Sequence, residues 1–463
     1  MKQFPTAVLC TLLFLGYSGL RVLNFIAVDE VREFPDTRGY TQKASRPLWS
    51  MEDRIGPLGG IVIWWLKGRP PTVPLFYKLA GNTPNAIAMF QLIFSLLSWG
   101  VLALLVSRAI AVDWLKLFAF LLIQIFSLSS SVILWDGFIL SDSISISLMV
   151  LFIACWLWLL ESSHWYKAVL TIMVAFLWAF SRDTNAWVLL MLAGLLTIIG
   201  GLSRSRTYLL MAAAFTLVFV ANEVSQKYSR RWVTPFINVV GKRILPNPEW
   251  TAYFGQLGMP VTPALMRLSG QLAWNHNWAF YKDPALEQFR DWVHKRGKLT
   301  YVRFLLAYSA MTIQEPLRNI ESLIAPQLSY YWSPGFSPIL NGVLAETIYP
   351  QEWALLWVSI MGTLVGIGFA FAVQEGRTRW LVPLILIVIA YPHLALVWHS
   401  DPNDIGRHAL QASIHFRLGL WILLLFMADM LLSFNERQVC WSAVWRRRLG
   451  AHGTQTMFGN RAS

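Results

Sequence analysis

From Ala86 to Ser107 the chain carries not one charged residue, and stretches of this kind recur along its length. A run of about 20 apolar residues is long enough to cross the hydrocarbon core of a bilayer as a helix. Helices suit that medium because they satisfy every backbone N–H and C=O internally. Ten segments read this way: Ala7–Val28, Ala86–Ser107, Trp114–Leu134, Ile144–Leu160, Trp165–Phe180, Ala186–Leu202, Thr207–Ala221, Trp353–Val373, Trp380–Trp398 and Ser413–Ser433. The fifth and seventh are short and need flanking residues to complete a crossing. Composition agrees: 56% of the 463 residues are hydrophobic, only 14% are charged, and mean hydropathy is +0.49. Many of the 24 Trp residues lie near the ends of apolar runs, as in an aromatic belt at the membrane–water interface. The expectation is an all-α polytopic membrane protein with about ten transmembrane helices.

The formal net charge is +13, but the basic residues are not pooled into one stripe beside aromatics, which argues against nucleic acid as a partner. Many lie instead in short loops between apolar runs, where they set orientation. With the N-terminus in the cytoplasm, the cytoplasmic segments carry Lys2, Arg108, Lys116, Lys167, Arg204, Arg206, Arg377, Arg379, Arg437, Arg446, Arg447, Arg448 and Arg461. The short external loops carry Arg182 and Arg407. This bias puts both termini in the cytoplasm, and the compact external loops and the lack of external cysteine suit a plasma (inner) membrane. The first residues resemble a secretory signal, but they lack a small-x-small cleavage site and stay apolar to Val28, so they read as a retained first helix. Cys10, Cys155 and Cys440 offer no extracytoplasmic disulfide framework.

Four units follow. Residues 1–221 form a transmembrane module with a first external loop at 29–85. Residues 222–351 form a helical external region, 352–434 the last transmembrane helices, and 435–463 a basic cytoplasmic tail. Within the first loop, "GGIVIWWL" is apolar but too short to span, and reads as an interfacial helix.

The external loops are acidic. The first holds "EFPDTRGYTQKA"; the shorter ones read "WDGFILSDS", "SRDTN" and "WHSDPNDIGRH". Four loops thereby deliver carboxylates, arginines and histidines to one face. Each residue also has a plainer reading. Ser141-Asp142 and Asp183-Thr184 stand where helix caps stand. Asp401 and Asp404 have the composition of a turn, and Asp36 follows Pro35 as turn residues do. Glu30 and Glu33 suit solvent, and Arg69 suits a headgroup anchor. Arg21 and Arg417 lie inside apolar runs, where charge is costly and points to function; snorkelling to the interface would also explain Arg21.

The segment Asp36-Thr37-Arg38-Gly39-Tyr40 resembles the first external loop of the GT-C superfamily of membrane glycosyltransferases, in which an acidic residue follows the first helix in a pattern similar to Asp-Ser-x-x-Tyr. "GRPPTVPL" resembles the stretch leading into the second span of bacterial members, "ILSDSIS" the segment before the fourth, and "SRDTNAW" a short loop carrying Arg. The resemblance covers residues 1–220. It implies sugar transfer from a polyprenyl-phosphate donor to an extracytoplasmic hydroxyl of a lipid, glycan or protein acceptor. Asp36 is then the catalytic base, and Arg69 and Arg407, with His408 beside it, contact the donor phosphate. Tyr40, Asp142, Arg182, Asp183 and Asp404 complete the candidate substrate site. The chain departs from protein mannosyltransferases in lacking His-Phe-Asp-Glu. It departs from oligosaccharyltransferase catalytic subunits in lacking Trp-Trp-Asp-Tyr-Gly, which argues against en bloc transfer to asparagine. No cofactor is required by this reading. A divalent metal could bind the carboxylates, but no ligand spacing demands one. The rival reading is a transporter or flippase for a lipid-linked or small polar solute, which calls for broken helices and a midplane site. A non-catalytic assembly protein would have no need of four such loops.

Overall fold

The structure is a computed structural model. It describes residues 6–27, 31–48, 56–162, 164–324, 348, 358, 361–368 and 377–452; for 6, 7, 56–58, 377, 378 and 434–452 it describes backbone only. Among the described residues regular structure is helical, apart from one isolated parallel bridge between Arg32 and Phe138.

Among the described residues, seven helices are long and apolar enough to cross a membrane. They lie in α1 (Thr6–Ala27), α5 (Pro84–Arg108), α8 (Ser141–Glu161), α10 (Asp183–Ser203), α11 (Arg206–Ser229), the consecutive pair α20 (Arg377–Val388) and α21 (Ala390–Ser400), and the first part of α22 (Ile405–His452). The expected span Trp114–Leu134 is not continuous. It divides into α6 (Asp113–Ser127) and α7 (Ser130–Ile133), the latter running on to Gly137, and the two halves meet at 62°. The expected span at 165–180 is α9 (Trp165–Ala179), 15 residues long. At 1.5 Å per residue that is about 22 Å, short of a full crossing. The expected span Trp353–Val373 lies largely outside the described residues.

Helix α8 sits at the centre, with 83% of its apolar window buried, against 17% for α1 at the periphery. Its sequence explains this. "SISLMVLFIACWLWLL" is apolar on every side, so no face is left for water. Its last turn is closed by Lys167, whose Nζ donates to the Trp158 carbonyl at 3.0 Å and lies 4.6 Å from the Trp158 ring. A cation there satisfies carbonyls that the helix end leaves open.

Among its described residues the first loop forms three short helices: α2 (Thr37–Ser45), α3 (Gly56–Leu66) and α4 (Thr72–Leu79). The "GGIVIWWL" segment is α3. Its Trp65 stacks on Phe176 of α9 at 5.5 Å, while Ile61 and Val62 stay exposed.

After α11 the chain builds a region with its own core, from α12 (Val233–Val239) through α13 (Pro248–Gln256), α14 (Pro263–Met266), α15 (Asn275–Lys282), α16 (Glu287–Trp292), α17 (Lys298–Ala307) and α18 (Ser309–Arg318) to α19 (Ile320–Ile324). Phe236, Phe254, Phe280, Phe289, Trp292 and Phe304 fill it. It is bound to the end of α21 by named contacts. Arg243 donates to the Trp398 carbonyl at 2.7 Å, Tyr301 to the His399 carbonyl at 2.6 Å, and Asn238 to Asp401 at 3.0 Å.

Candidate functional site

Asp36 is positioned by backbone. Residues 31–34 run beside the segment before α8: Arg32 N–H donates to the Gly137 carbonyl, and Ile139 N–H to the Arg32 carbonyl, each at 3.0 Å. Thr37 completes the tie. Its hydroxyl accepts from Phe34 N–H at 2.9 Å and donates to the Ile139 carbonyl at 2.6 Å. Asp36 stands one residue earlier, at the head of α2, and its side chain makes no capping bond. The turn reading therefore holds for its backbone and leaves its carboxylate free to face another chain segment.

That carboxylate meets Arg69. Arg69 Nη2 donates to Asp36 Oδ1, and both side chains are more than a third exposed. Three neighbours fix the guanidinium. Its Cζ lies 5.1 Å from the ring of Tyr40, which is itself buried. Gly39 lets the side chain pass: a Cβ there would come within 2.8 Å of Arg69 Nε. Lys43 holds the loop, its Nζ donating to the carbonyls of Lys67 at 2.7 Å and Arg69 at 2.6 Å. Arg69 thus has a protein carboxylate as its partner, which the headgroup-anchor reading did not supply.

Behind this exposed pair lies a buried one. Arg407 Nη2 approaches Asp36 Oδ2 at 3.7 Å, and its Nε donates to Asp142 Oδ2 at 3.0 Å. The other oxygen of Asp142 accepts from Arg182 Nη1 at 2.7 Å. Arg182 Nη2 reaches His408 Nδ1; a guanidinium only donates, so that imidazole nitrogen accepts and its proton sits on Nε2. Asp404 adds a contact to Arg407 Nη1 at 3.4 Å and turns the chain into α22 with φ +55°, a left-handed conformation that Asp tolerates better than most residues. Asp142 is fully buried, and Arg182 and Arg407 nearly so. The result is an alternating row, Asp36, Arg407, Asp142, Arg182, with only its Asp36 end open to solvent.

The cap readings do not hold for these acids. The helix-flanking positions are Leu140 for α8 and Arg182 for α10, with no side-chain cap bond at either. Asp142 and Asp183 stand within the first helical turns, where the helix dipole favours negative charge. They also part company. Asp183 forms a two-point pair with Arg231, at 2.9 and 2.8 Å, and is not joined to the Asp142 row. Asp401 does serve its turn, accepting from Asn403 N–H at 2.9 Å.

Under the row a polar network locks four helices together. Ser145 Oγ meets Ser181 Oγ at 2.8 Å and accepts from Asn185 and Gln411, each at 2.9 Å; Gln411 in turn accepts from Trp178 at 3.0 Å. Lys43, Arg231, Asn185 and Gln411 were not among the sequence candidates. Lys43 lies inside the quoted acidic stretch, and Arg231 in "SRRWV" gave no signal of its own.

Arg21 does not snorkel. Its side chain is fully buried and pairs with Asp136, its Nη2 at 2.8 Å from Oδ2. Its Nη1 donates at 2.7 Å to the Ser127 carbonyl, the group that the break between α6 and α7 leaves without a helical partner. Arg417 is likewise buried, donating to the Ile324 carbonyl at 2.9 Å.

Burial raises the Asp36 pKa, but Arg69 and Arg407 outweigh it and hold the carboxyl below its usual range, so it is ionised. Burial, with Arg231 and Arg46 nearby, lowers Lys43 to about 7. Burial raises Asp401 to about 6. Among the described residues no three His, Cys, Asp or Glu side chains converge as metal ligands would. An ionised, accessible carboxylate between two guanidiniums can accept a proton, and the guanidiniums can receive an anion in its place.

No protein-family model and no curated protein matches the chain. Solved structures do align with it, among them three of the oligosaccharyltransferase of Archaeoglobus fulgidus. The apo form aligns with TM-score 0.43 and 10% identity, over 94% of this chain and 52% of that one. A form tethered to an acceptor peptide containing the NVT sequon gives 0.39 and 13%, over 90% and 49%. The form in complex with an inhibitory peptide and a dolichol-phosphate, there called AglB, gives 0.42 and 12%, over 100% and 53%. The chain spans about half the length of these structures.

Proposed function

We propose that this chain is an integral-membrane glycosyltransferase that moves a sugar, a hexosyl unit, from a polyprenyl-phosphate donor to an extracytoplasmic acceptor hydroxyl with inversion. The observation that carries the reading is the Asp36 carboxylate, half-exposed at one end of a helical bundle and flanked by Arg69 and Arg407. The donor phosphate takes the guanidiniums, which compensates charge as the anomeric C–O bond breaks. Released from its ion pairs, Asp36 becomes a stronger base and takes the acceptor proton as the hydroxyl oxygen bonds to the opposite face of the anomeric carbon. The lipid phosphate leaves with the bonding pair. One displacement needs no second carboxylate as nucleophile. The apolar helix faces beside the site suit the polyprenyl tail.

The test is transfer of labelled sugar by the purified chain from a panel of polyprenyl-phosphate sugars to a membrane-lipid or glycan extract, with donor binding measured alongside. Arg69→Ala and Arg407→Ala should each weaken donor binding; undiminished binding in both removes them from the site. A second reading, transport of a lipid-linked solute, is favoured by the bent pair α6–α7 and the buried Arg21–Asp136 pair beside it. It predicts donor movement across a sealed vesicle without sugar transfer.

A further inference from the structure

Helix α17 buries one face and leaves the other apolar. Thr300, Phe304 and the ring of Tyr301 turn toward the core built around Phe236, Phe254 and Trp292. Leu299, Val302 and Leu306 turn outward, and Leu306 is 72% exposed. Their i, i+3, i+7 spacing makes one stripe on a helix, and Ile313 and Leu317 of α18 are exposed in the same way. A set of large apolar side chains on one exposed face marks a surface that something covers.

Two observations say what covers it. Lys298 Nζ pairs with Glu223 Oε2 of α11, a helix long and apolar enough to cross a membrane. Glu223 lies six residues before the end of that helix at Ser229, about 9 Å at 1.5 Å per residue. Leu217, Val220, Val224 and Tyr228 of α11 are exposed in this same stretch. The start of α17 is therefore tied to the last turns of a helix that is long and apolar enough to cross a membrane and is itself apolar on its exposed side. The border of the stripe is basic. His294, Lys295, Arg296 and Lys298 line one concave patch with Trp232, Leu299 and Val302, and Lys227, Arg230 and Arg303 are exposed nearby. Lys295 has Asp291 at 3.5 Å, a weak exposed pair. Apolar residues flanked by Lys, Arg and a Trp are the composition of a helix lying in a headgroup layer.

We infer that α17 is an interfacial helix, with Leu299, Val302 and Leu306 in the acyl boundary and the patch of Trp232, His294, Lys295 and Arg296 receiving the phosphate groups of anionic phospholipids. This goes beyond the transferase reading, because it stands whether or not the chain moves a sugar.

The test uses the full chain, with its three native cysteines replaced by alanine and a fluorophore on Leu306→Cys, in vesicles of phosphatidylcholine and phosphatidylglycerol at 7:3. Quenching by lipids labelled near the headgroup, with protection from aqueous iodide, is the expected result. Iodide quenching without lipid quenching overturns the inference. So does a label shielded from both, the result that coverage by a second copy would give. In parallel, native mass spectrometry counts retained phosphatidylglycerol on the unlabelled chain and on Lys295→Gln/Arg296→Gln. The variant should retain several-fold less, with an unchanged thermal midpoint; equal retention overturns the charged half of the site.

Discussion

At the residue scale the decisive contrast is between two aspartates that share Arg407. Asp36 is 40% exposed and Asp142 is fully buried, so the same charge has different work to do. Removing one partner from a buried ion pair strands the other in a low dielectric, at a cost of about 3–5 kcal/mol. Asp142→Ala should therefore lower the thermal midpoint sharply and reduce folded yield; a midpoint within a degree of the native chain would contradict the buried row. Gly39→Ala is expected to behave in the opposite way. The three atoms nearest the new Cβ all belong to the flexible Arg69 side chain, so the fold should tolerate it while the guanidinium is pushed from Asp36. Donor binding should fall as it does in Arg69→Ala, with stability nearly unchanged. The acidic loops were readable as a group, because charged side chains at the ends of apolar runs stand out. Their partners were not. Arg21 finds Asp136 across 115 positions, and Asp183 finds Arg231 rather than the Asp142 row, because helix rotation and packing choose the partner.

At the element scale, hydropathy placed five of the ten expected spans within a few residues, since burial in lipid is a local property of the chain; it ended α11 and began α22 eight residues short. It missed the bend between α6 and α7. "FSLSSS" passes as membrane-compatible, and what opens the helix is tertiary: Tyr17 bonded to Ser127 Oγ at 2.7 Å, and Arg21 on the Ser127 carbonyl. The loop carrying Arg69 depends in turn on Lys43, which is 6% exposed and lowered to about 7. Below that pH both folded and unfolded chains hold the Lys43 proton, and the full cost of burying the charge is present. Between about pH 7 and the ordinary lysine range the unfolded chain binds more protons, so this group makes stability rise with pH. Lys43→Met should flatten the rise in thermal midpoint between pH 7 and 9.5. An identical slope in both proteins would show that Lys43 is not desolvated.

At the scale of the whole molecule, the alternation of helices brings the acid-bearing starts of α8, α10 and α22 to one end. Arg108, Lys116, Lys167, Arg204 and Arg379 lie toward the other. On the positive-inside bias we propose that the acidic end faces outside. A cysteine at Ser45 should react with an impermeant reagent in intact cells, and one at Ser205 should not; reversed labelling would turn the site to the cytoplasm. The central claim is that Asp36 takes a proton from an acceptor at the membrane edge. Its most direct test compares sugar transfer by the native chain and by Asp36→Asn, a near-isosteric change at a half-exposed site, with equal thermal midpoints as the control for folding. Transfer by the native chain and loss of at least 100-fold in the variant is the predicted result, since general-base catalysis contributes about 10²–10⁴-fold. Equal transfer by both proteins would contradict it and move the base to another carboxylate.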